Sequence, residues 1–217
     1  LATPPFWFAI ATTRLIARKC GIPGSVGSTS MTKAALIDHL LTHSVKQGDF
    51  VLKSGKATTW FIDAKQTTCD PDGMLLVAEA ALDAMPDDIT AVGGLTMGAD
   101  AMAFSIAAVA ATRGRKLRAF SVRKEVKDHG GGGRIAGALE PGDKVVITED
   151  AVTRGVSMLE AAEVVREAGA EPVLLMPVVD RGGTVTAMAA EQGIPVLALV
   201  TAPDLGFPFE GPVEVTA

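Results

Sequence analysis

The stretch VVITEDAVTRGVS, residues 145–157, decides the fold. Its first three residues form an apolar run typical of a strand that is buried on both faces of a parallel sheet. Two adjacent carboxylates, Glu149 and Asp150, come at the end of this run. A short loop with small hydroxyl residues follows, and a helix is predicted to begin near Met158. The stretch therefore predicts a strand–loop–helix unit with an acidic pair at the carboxyl end of the strand.

Such a unit is suited to a sugar phosphate. Carboxylates accept hydrogen bonds from sugar hydroxyls. The backbone N–H and hydroxyl groups of residues 152–157 lie at the positive end of the predicted helix dipole, where they can hold a phosphate. An ordinary β-turn-α junction without a ligand is the alternative interpretation, and this stretch by itself leaves it open.

A second segment, SVRKEVKDHGGGGRIAG at residues 121–137, concentrates positive charge around four consecutive glycines. Its cationic residues are Arg123, Lys124, Lys127, His129 and Arg134. Because a run of glycines disfavours both helix and strand, we expect a mobile loop that carries cationic donors. A solvated basic surface hairpin is the alternative.

The two segments together resemble the type I phosphoribosyltransferases, which use phosphoribosyl pyrophosphate (PRPP), and within them the orotate phosphoribosyltransferases. The order Arg-Lys-x-x-Lys-x-His-Gly, residues 123–130, matches the catalytic lid of that family at every position. FVLKSGKATTWFIDAK (residues 50–65) and VVDRGG (residues 178–183) resemble its base-binding segments. The resemblance covers roughly residues 31–205.

The resemblance implies a role for each candidate residue. The implied catalytic residues are Lys127, His129, Glu149 and Asp150. The implied PRPP-binding residues are Arg123, Lys124, Lys127, His129, Glu149, Asp150, Ala151, Val152, Thr153, Arg154, Gly155, Val156 and Ser157. The implied orotate-binding residues are Lys53, Phe61, Thr153 and Arg181.

The resemblance also implies a reaction, a cofactor and partners. The reaction joins orotate to the anomeric carbon of PRPP and releases pyrophosphate, a step of pyrimidine biosynthesis. Mg²⁺ is the implied cofactor, held mainly through PRPP and not directly by protein side chains. The implied assembly is a homodimer whose lids are exchanged between active sites.

Two other functions are weighed against this one. A purine-type phosphoribosyltransferase would share residues 145–157 but is not expected to carry the lid pattern. A PRPP-sensing regulatory protein usually adds a DNA-binding module, and residues 1–30 contain no plausible helix-turn-helix. The lid donors, all present, favour the enzyme.

The chain departs from the family pattern at two places. In GGLTMGAD, residues 93–100, Met97 stands where many relatives place a lysine beside the pyrophosphate. Only backbone contacts of residues 96–98 are therefore carried over. Arg154 and Val156 replace smaller residues of the phosphate loop. Arg154 either points to solvent or adds a phosphate contact, and the sequence does not decide between the two.

Composition limits the remaining choices. A chain of 217 residues is long enough for one well-buried α/β domain. A net charge of −5 argues against general nucleic-acid binding, although a local basic cluster can still attract anionic substrates. No window of eighteen uninterrupted apolar residues predicts a membrane span. Two cysteines, Cys20 and Cys69, predict no disulfide framework and are compatible with the cytoplasm.

Strand and helix patterns alternate along the chain, which predicts an α/β fold of the type I phosphoribosyltransferase kind: a central parallel sheet flanked by helices, with a small N-terminal hood and a flexible lid. The predicted strands are 90–95, 117–122, 144–148, 171–179 and 195–200. The predicted helices begin at Met31 and cover 71–84, 99–112, 157–168 and 184–191. Residues 1–30 are expected to be a non-native or disordered extension, with a targeting segment as the alternative, and residues 31–217 a single domain.

Overall fold

The computed structural model describes residues 29–51, 57–126 and 133–211. Its helices are α1 (Thr29–His43), α2 (Lys65–Thr68), α3 (Pro71–Ala84), α4 (Asp100–Thr112), α5 (Val156–Glu167) and α6 (Val185–Ala190), with a 3-10 turn at Pro203–Leu205. Its strands are β1 (Val45–Val51), β2 (Ala57–Ile62), β3 (Ala91–Leu95), β4 (Arg118–Val122), β5 (Ile135–Gly137), β6 (Lys144–Val152), β7 (Glu171–Asp180) and β8 (Val200–Thr201).

Six strands form the central sheet in the order β5-β4-β3-β6-β7-β8. All neighbouring pairs are parallel except β4 and β5, which run antiparallel. Because parallel neighbours need long crossovers, helices connect most of these strands and cover the sheet. The predicted α/β fold with a central, mostly parallel sheet is confirmed.

The packing of strand β6 explains why residues 145–147 are a continuous apolar run. Val146 packs into a core that includes Val77 of α3 and Met102 of α4. Val145 and Ile147 point to the other face and pack into a second core with α5. All three residues are fully buried, because both faces of the strand are covered.

The N-terminal hood is a separate antiparallel hairpin of β1 and β2, referred to below as the hood hairpin. Sequence patterns did not predict β1, because most of its residues are exposed and a bulge lies between Gln47 and Phe50. Helix α1 begins at Thr29, two residues before the predicted start at Met31. Residues 1–28 of the expected extension lie outside the described residues.

The bounds of two predicted strands are wrong, and one further strand was not predicted. Strand β6 continues to Val152, so the acidic pair lies inside the strand and not after it. The strand predicted at 195–200 is reduced to β8 and one isolated bridge at Val196, since Pro177 on the facing strand has no N–H to donate. The short strand β5 was not predicted at all, because three residues after a glycine run carry no periodic pattern.

Other boundaries agree closely with the sequence. Helix α3 begins at Pro71, and the Asp70 side chain caps it by accepting the N–H groups of Asp72 and Gly73 at 3.0 and 3.1 Å. In the described ranges, no helix has both the length and the apolar character that a membrane span requires.

Candidate active site

The candidate site lies at the carboxyl edge of the sheet, where β3, β4, β6 and β7 end next to one another. The loops that leave these four strands carry most of the residues singled out by sequence, whereas Glu149 and Asp150 lie in β6 itself and Phe61 lies in β2. In open α/β sheets this edge is the usual place for a ligand, because loops from neighbouring parallel strands form a crevice there.

The acidic pair faces the loop that follows β3. Glu149 and Asp150 are only 7% and 8% exposed. A Cβ atom at Gly98 would lie 2.9 Å from Asp150 Oδ1 and closer still to the Glu149 carboxylate. Any larger residue at this position would force the Glu149 side chain to move, so the backbone of the loop lies directly against the pair. The peptide bond between Thr96 and Met97 in the same loop is cis.

The two carboxyl groups of the pair differ in their electrostatic state. Burial, the largest cause, together with the hydrogen bond and negative charge of Asp150, raises the pKa of Glu149 to about 8, against the opposing hydrogen bond of Ser157. Near neutral pH Glu149 therefore keeps its proton. The pair is therefore less negative near neutral pH than two ordinary carboxylates would be.

Asp150 also has a cationic partner that sequence analysis missed. Its Oδ2 atom pairs with Nζ of Lys65, the first residue of α2, and its Oδ1 atom accepts the N–H of Ala151 at 2.9 Å. Lys65 follows the hood hairpin closely in sequence and is separated from Asp150 by 85 positions. No local pattern marks such a contact, since the folding of the whole domain creates it.

Residues 151–157 and Glu160 line a cavity of about 440 Å³ at the N-terminus of α5. Gly155 has a φ of 79°, and a Cβ there would contact the Val185 side chain, so the loop requires glycine. Arg154 and Val156 are exposed at its surface. The Glu160 carboxylate, which would repel an anion, pairs with the guanidinium of Arg134.

A second cluster surrounds Arg181, which follows β7. Its guanidinium carbon lies 5.1 Å from the ring centre of Trp60 and 5.9 Å from that of Phe61. Trp60 stacks on Phe207 at 4.5 Å, and Arg181 Nη2 donates to Glu210 at 2.6 Å. Arg181 Nε is buried and has no acceptor among the described residues. The cluster therefore joins the hood hairpin, β7 and the C-terminal segment.

Hydrogen bonds connect the loop after β6, which lines the cavity, to the loop after β7, which begins at Arg181. The Thr184 hydroxyl donates to the carbonyl of Thr153 at 2.8 Å. The Asp180 carboxylate accepts the N–H groups of Gly182 and Gly183 at 3.0 and 2.9 Å, which shapes the turn after Arg181. These bonds connect the loop that lines the 440 Å³ cavity to the turn that follows Arg181.

The predicted lid is described only at its stem. The N–H of Arg123 donates to the carbonyl of Arg134 at 2.7 Å, and the Arg123 side chain contacts the carbonyls of Gly133 and Ile135. Lys124 is exposed. The remaining predicted donors, Lys127, His129 and Lys53, lie outside the described residues.

Comparison with known proteins gives a consistent picture. No family model matches the chain. The chain is 38% identical over 171 residues to the orotate phosphoribosyltransferase of Synechocystis sp., covering 78% of this chain and 86% of the relative. It is 41% identical over 165 residues to that of Streptomyces avermitilis, covering 75% and 91%. The Mycobacterium tuberculosis orotate phosphoribosyltransferase, solved in complex with PRPP, superposes with a TM-score of 0.67 at 29% identity, covering 81% and 99%.

Proposed function

Because the chain belongs to the orotate phosphoribosyltransferase family, we propose that it transfers the ribose 5-phosphate group of PRPP to orotate and releases orotidine 5′-monophosphate and pyrophosphate. One observation carries this proposal: the acidic pair lies between the loop after β3 and the cavity lined by residues 151–157. A ribose bound at the pair would direct its phosphate into the cavity and its pyrophosphate toward the loop.

The acidic pair is proposed to orient the ribose. The hydroxyls of the sugar donate to Asp150, whose negative charge also stabilises the positive charge that develops on the ribosyl ring as pyrophosphate leaves. Glu149 sits beside it with its carboxyl group directed at the same loop. Positioning and electrostatics account for most of the expected rate, since no covalent intermediate with the protein is needed.

The 5-phosphate is proposed to bind in the 440 Å³ cavity. Backbone N–H groups of residues 153–157 and the hydroxyls of Thr153 and Ser157 are its donors, at the positive end of α5. The ion pair between Arg134 and Glu160 favours this assignment, because it offsets the negative charge at the cavity wall.

Orotate is proposed to bind beside Arg181 and Phe61, with Lys53 and Thr153 as further contacts. A guanidinium fork matches a carboxylate, and the unpaired, buried Nε of Arg181 supports a ligand there. The aromatic ring of Phe61, partly exposed next to the guanidinium, offers a flat surface to the pyrimidine.

The lid donors Arg123, Lys124, Lys127 and His129 are proposed to close over the pyrophosphate. Closure would exclude water, which would otherwise hydrolyse the sugar, and would place the donors in a drier environment where each is more effective. The stem contacts of Arg123 and Arg134 anchor the two ends of this loop next to each other.

Mg²⁺ is proposed as the cofactor, held mainly through PRPP. Carboxylate oxygens are suitable ligands, but Asp150 already has a lysine partner and Glu149 retains its proton, so the pair offers little direct coordination to a free ion. In the three described ranges no group of three or more metal-ligating side chains is found. When bound with PRPP, the ion would neutralise the departing pyrophosphate.

A homodimer is proposed from the family and from the surface of α4. Phe104 is exposed on this mostly apolar helix, and Met97 is exposed on the loop that precedes it. A second copy of the chain would cover this apolar surface and bring its own lid near the site. The cytoplasmic location inferred from cysteine usage stays a prediction.

The reaction can be tested directly by the loss of orotate absorbance on addition of PRPP and Mg²⁺. Adenine, hypoxanthine and uracil are the control bases, and we expect turnover with orotate alone. Turnover with a purine would move the chain to the purine-type alternative. PRPP binding without turnover of any base would favour the regulatory alternative.

A further inference from the structure

We propose that Lys65 binds the pyrophosphate group of PRPP, supplying from α2 the positive charge that Met97 does not supply from the loop after β3. The inference deepens the proposed function and rests on it. Nothing in the sequence motifs assigns a role to Lys65, which is recognised only through its contact with Asp150.

The position of Lys65 is the first argument. Its Nζ pairs with Asp150 Oδ2, while the other oxygen of the same carboxylate faces Gly98. The ammonium group and the loop therefore lie on the two sides of one carboxylate. A pyrophosphate directed toward this loop would come within reach of the lysine.

Charge is the second argument. Met97, 71% exposed on the loop, offers no charge to an anion. Among the ion pairs formed within the described ranges, Lys65 provides the only cation on the acidic pair. Arg123 is engaged with the carbonyls of Gly133 and Ile135. Without Lys65, a polyanion entering this end of the site would meet two carboxyl groups with which no other cation of the described ranges forms an ion pair.

The third argument is that Lys65 has a rigid base and a movable end. Its backbone N–H donates to Asp63 Oδ1 at 3.3 Å, and the following residues Thr67 and Thr68 are buried against α3. The side chain itself is 43% exposed. Partial burial lowers the pKa of Lys65, because it disfavours the charged form. The hydrogen bond to Asp150 and the nearby carboxylates outweigh this and raise the pKa above its ordinary value, so Lys65 stays protonated.

On substrate binding, Lys65 exchanges Asp150 for the pyrophosphate group as its partner. In the free protein Lys65 neutralises Asp150 and holds the carboxylate in place. Pyrophosphate oxygens compete with Asp150 for the ammonium, and ribose hydroxyls that donate to Asp150 favour this exchange. The flexible four-carbon side chain then carries the ammonium to the pyrophosphate oxygens.

The test compares Lys65→Met with Lys65→Arg and with Lys144→Met, a matched control whose lysine pairs with Asp88 at the opposite end of β6. Binding of pyrophosphate and, separately, of ribose 5-phosphate is measured by calorimetry with Mg²⁺ present. We expect Lys65→Met to weaken pyrophosphate binding about 10- to 100-fold, as for loss of a charged hydrogen bond. Ribose 5-phosphate binding should be unchanged or tighter, because Asp150 is released. Lys65→Arg should retain most of the pyrophosphate affinity.

Two results would overturn the proposal. Unchanged pyrophosphate binding in Lys65→Met would show that the lysine does not touch this group. A loss confined to ribose 5-phosphate would make Lys65 a positioning residue for Asp150 only. Met97→Lys in the Lys65→Met background should recover pyrophosphate affinity, and a lack of recovery would contradict the idea that the two positions serve the same group.

The experiments distinguish a failure of the Lys65 proposal from a failure of the proposed reaction. If the unmodified protein consumes orotate with PRPP while Lys65→Met binds pyrophosphate normally, only the role of Lys65 fails. If Lys65→Met loses pyrophosphate binding while the unmodified protein turns over no orotate, the proposed reaction fails and the anion site stands.

Discussion

Two regions of the candidate site are built in opposite ways. The acidic pair and the phosphate cavity come from one continuous stretch, residues 149–157, at the end of β6. The Arg181 cluster is assembled from the hood hairpin, the end of β7 and the segment 207–210. The first region can be recognised in a sequence because neighbours in the chain are neighbours in space. The second exists only when distant segments meet.

The largest effect is expected in the continuous region. Asp150→Asn keeps the shape of the side chain but removes the charge that faces the ribose, so we expect orotate turnover to fall by about 10²- to 10³-fold. The Tm should change by only a few degrees, because asparagine keeps the size of the side chain and the Oδ1 atom that accepts the Ala151 N–H. The exposed ion pair of Asp88 offers Asp88→Asn as the control. Full activity in Asp150→Asn would refute the proposed ribose site.

A related experiment tests whether one active site contains residues from two subunits. Lys127→Ala and Asp150→Asn should each be nearly inactive alone. If the lid serves the neighbouring subunit, subunit exchange between them creates heterodimers with one complete site. Activity in that population should then rise toward half of the unmodified dimer. Exchange without any recovery would show that each lid closes over its own subunit.

A substitution in the Arg181 cluster should change the affinity for substrate. Arg181→Ala should raise the KM for orotate by about 10- to 100-fold and that for PRPP by much less, because orotate carries the carboxylate that the fork would hold. The substitution also deprives Glu210 of an ion pair, so the double variant R181A/E210A separates lost stability from lost binding. Equal effects on both substrates would assign Arg181 to the architecture alone.

The smallest effect is expected on stability, through Glu149. Its pKa of about 8 lies above the ordinary 4.5, so the folded protein binds this proton more tightly than the unfolded chain. The free energy of unfolding should therefore decrease as the pH rises from about 4.5 to about 8, and level off above. Glu149→Gln should remove this decrease.

Urea unfolding between pH 5 and 9, without PRPP or Mg²⁺, measures the difference. Above pH 8 the variant should be more stable than the unmodified protein, with similar stability near pH 5. Stability curves that run parallel over the whole range would show that Glu149 is ionised without cost in the folded protein.

Sequence analysis likewise predicted buried, continuous segments well and exposed or charged segments poorly. Val145–Ile147 was predicted as a buried strand because a run of apolar residues reports burial on both faces. The end of β6 was missed because charged residues resemble a loop, whereas here they still pair with β7 up to Val152. β1 was missed because an exposed strand carries a weak apolar pattern, whereas the strand predicted at 195–200 was too long because Pro177 on the facing strand has no N–H to donate.

The amino-acid sequence by itself determined the alternation of strands and helices, the order of the acidic pair and phosphate loop, and the family. Each of these depends on residues close together in the chain. Only the tertiary structure decided that Lys65 pairs with Asp150, that Gly98 meets the acidic pair, and that Glu210 reaches Arg181. These contacts join residues from about 30 to 85 positions apart. Such pairs are selected by packing of the whole domain, which no local pattern of side chains encodes.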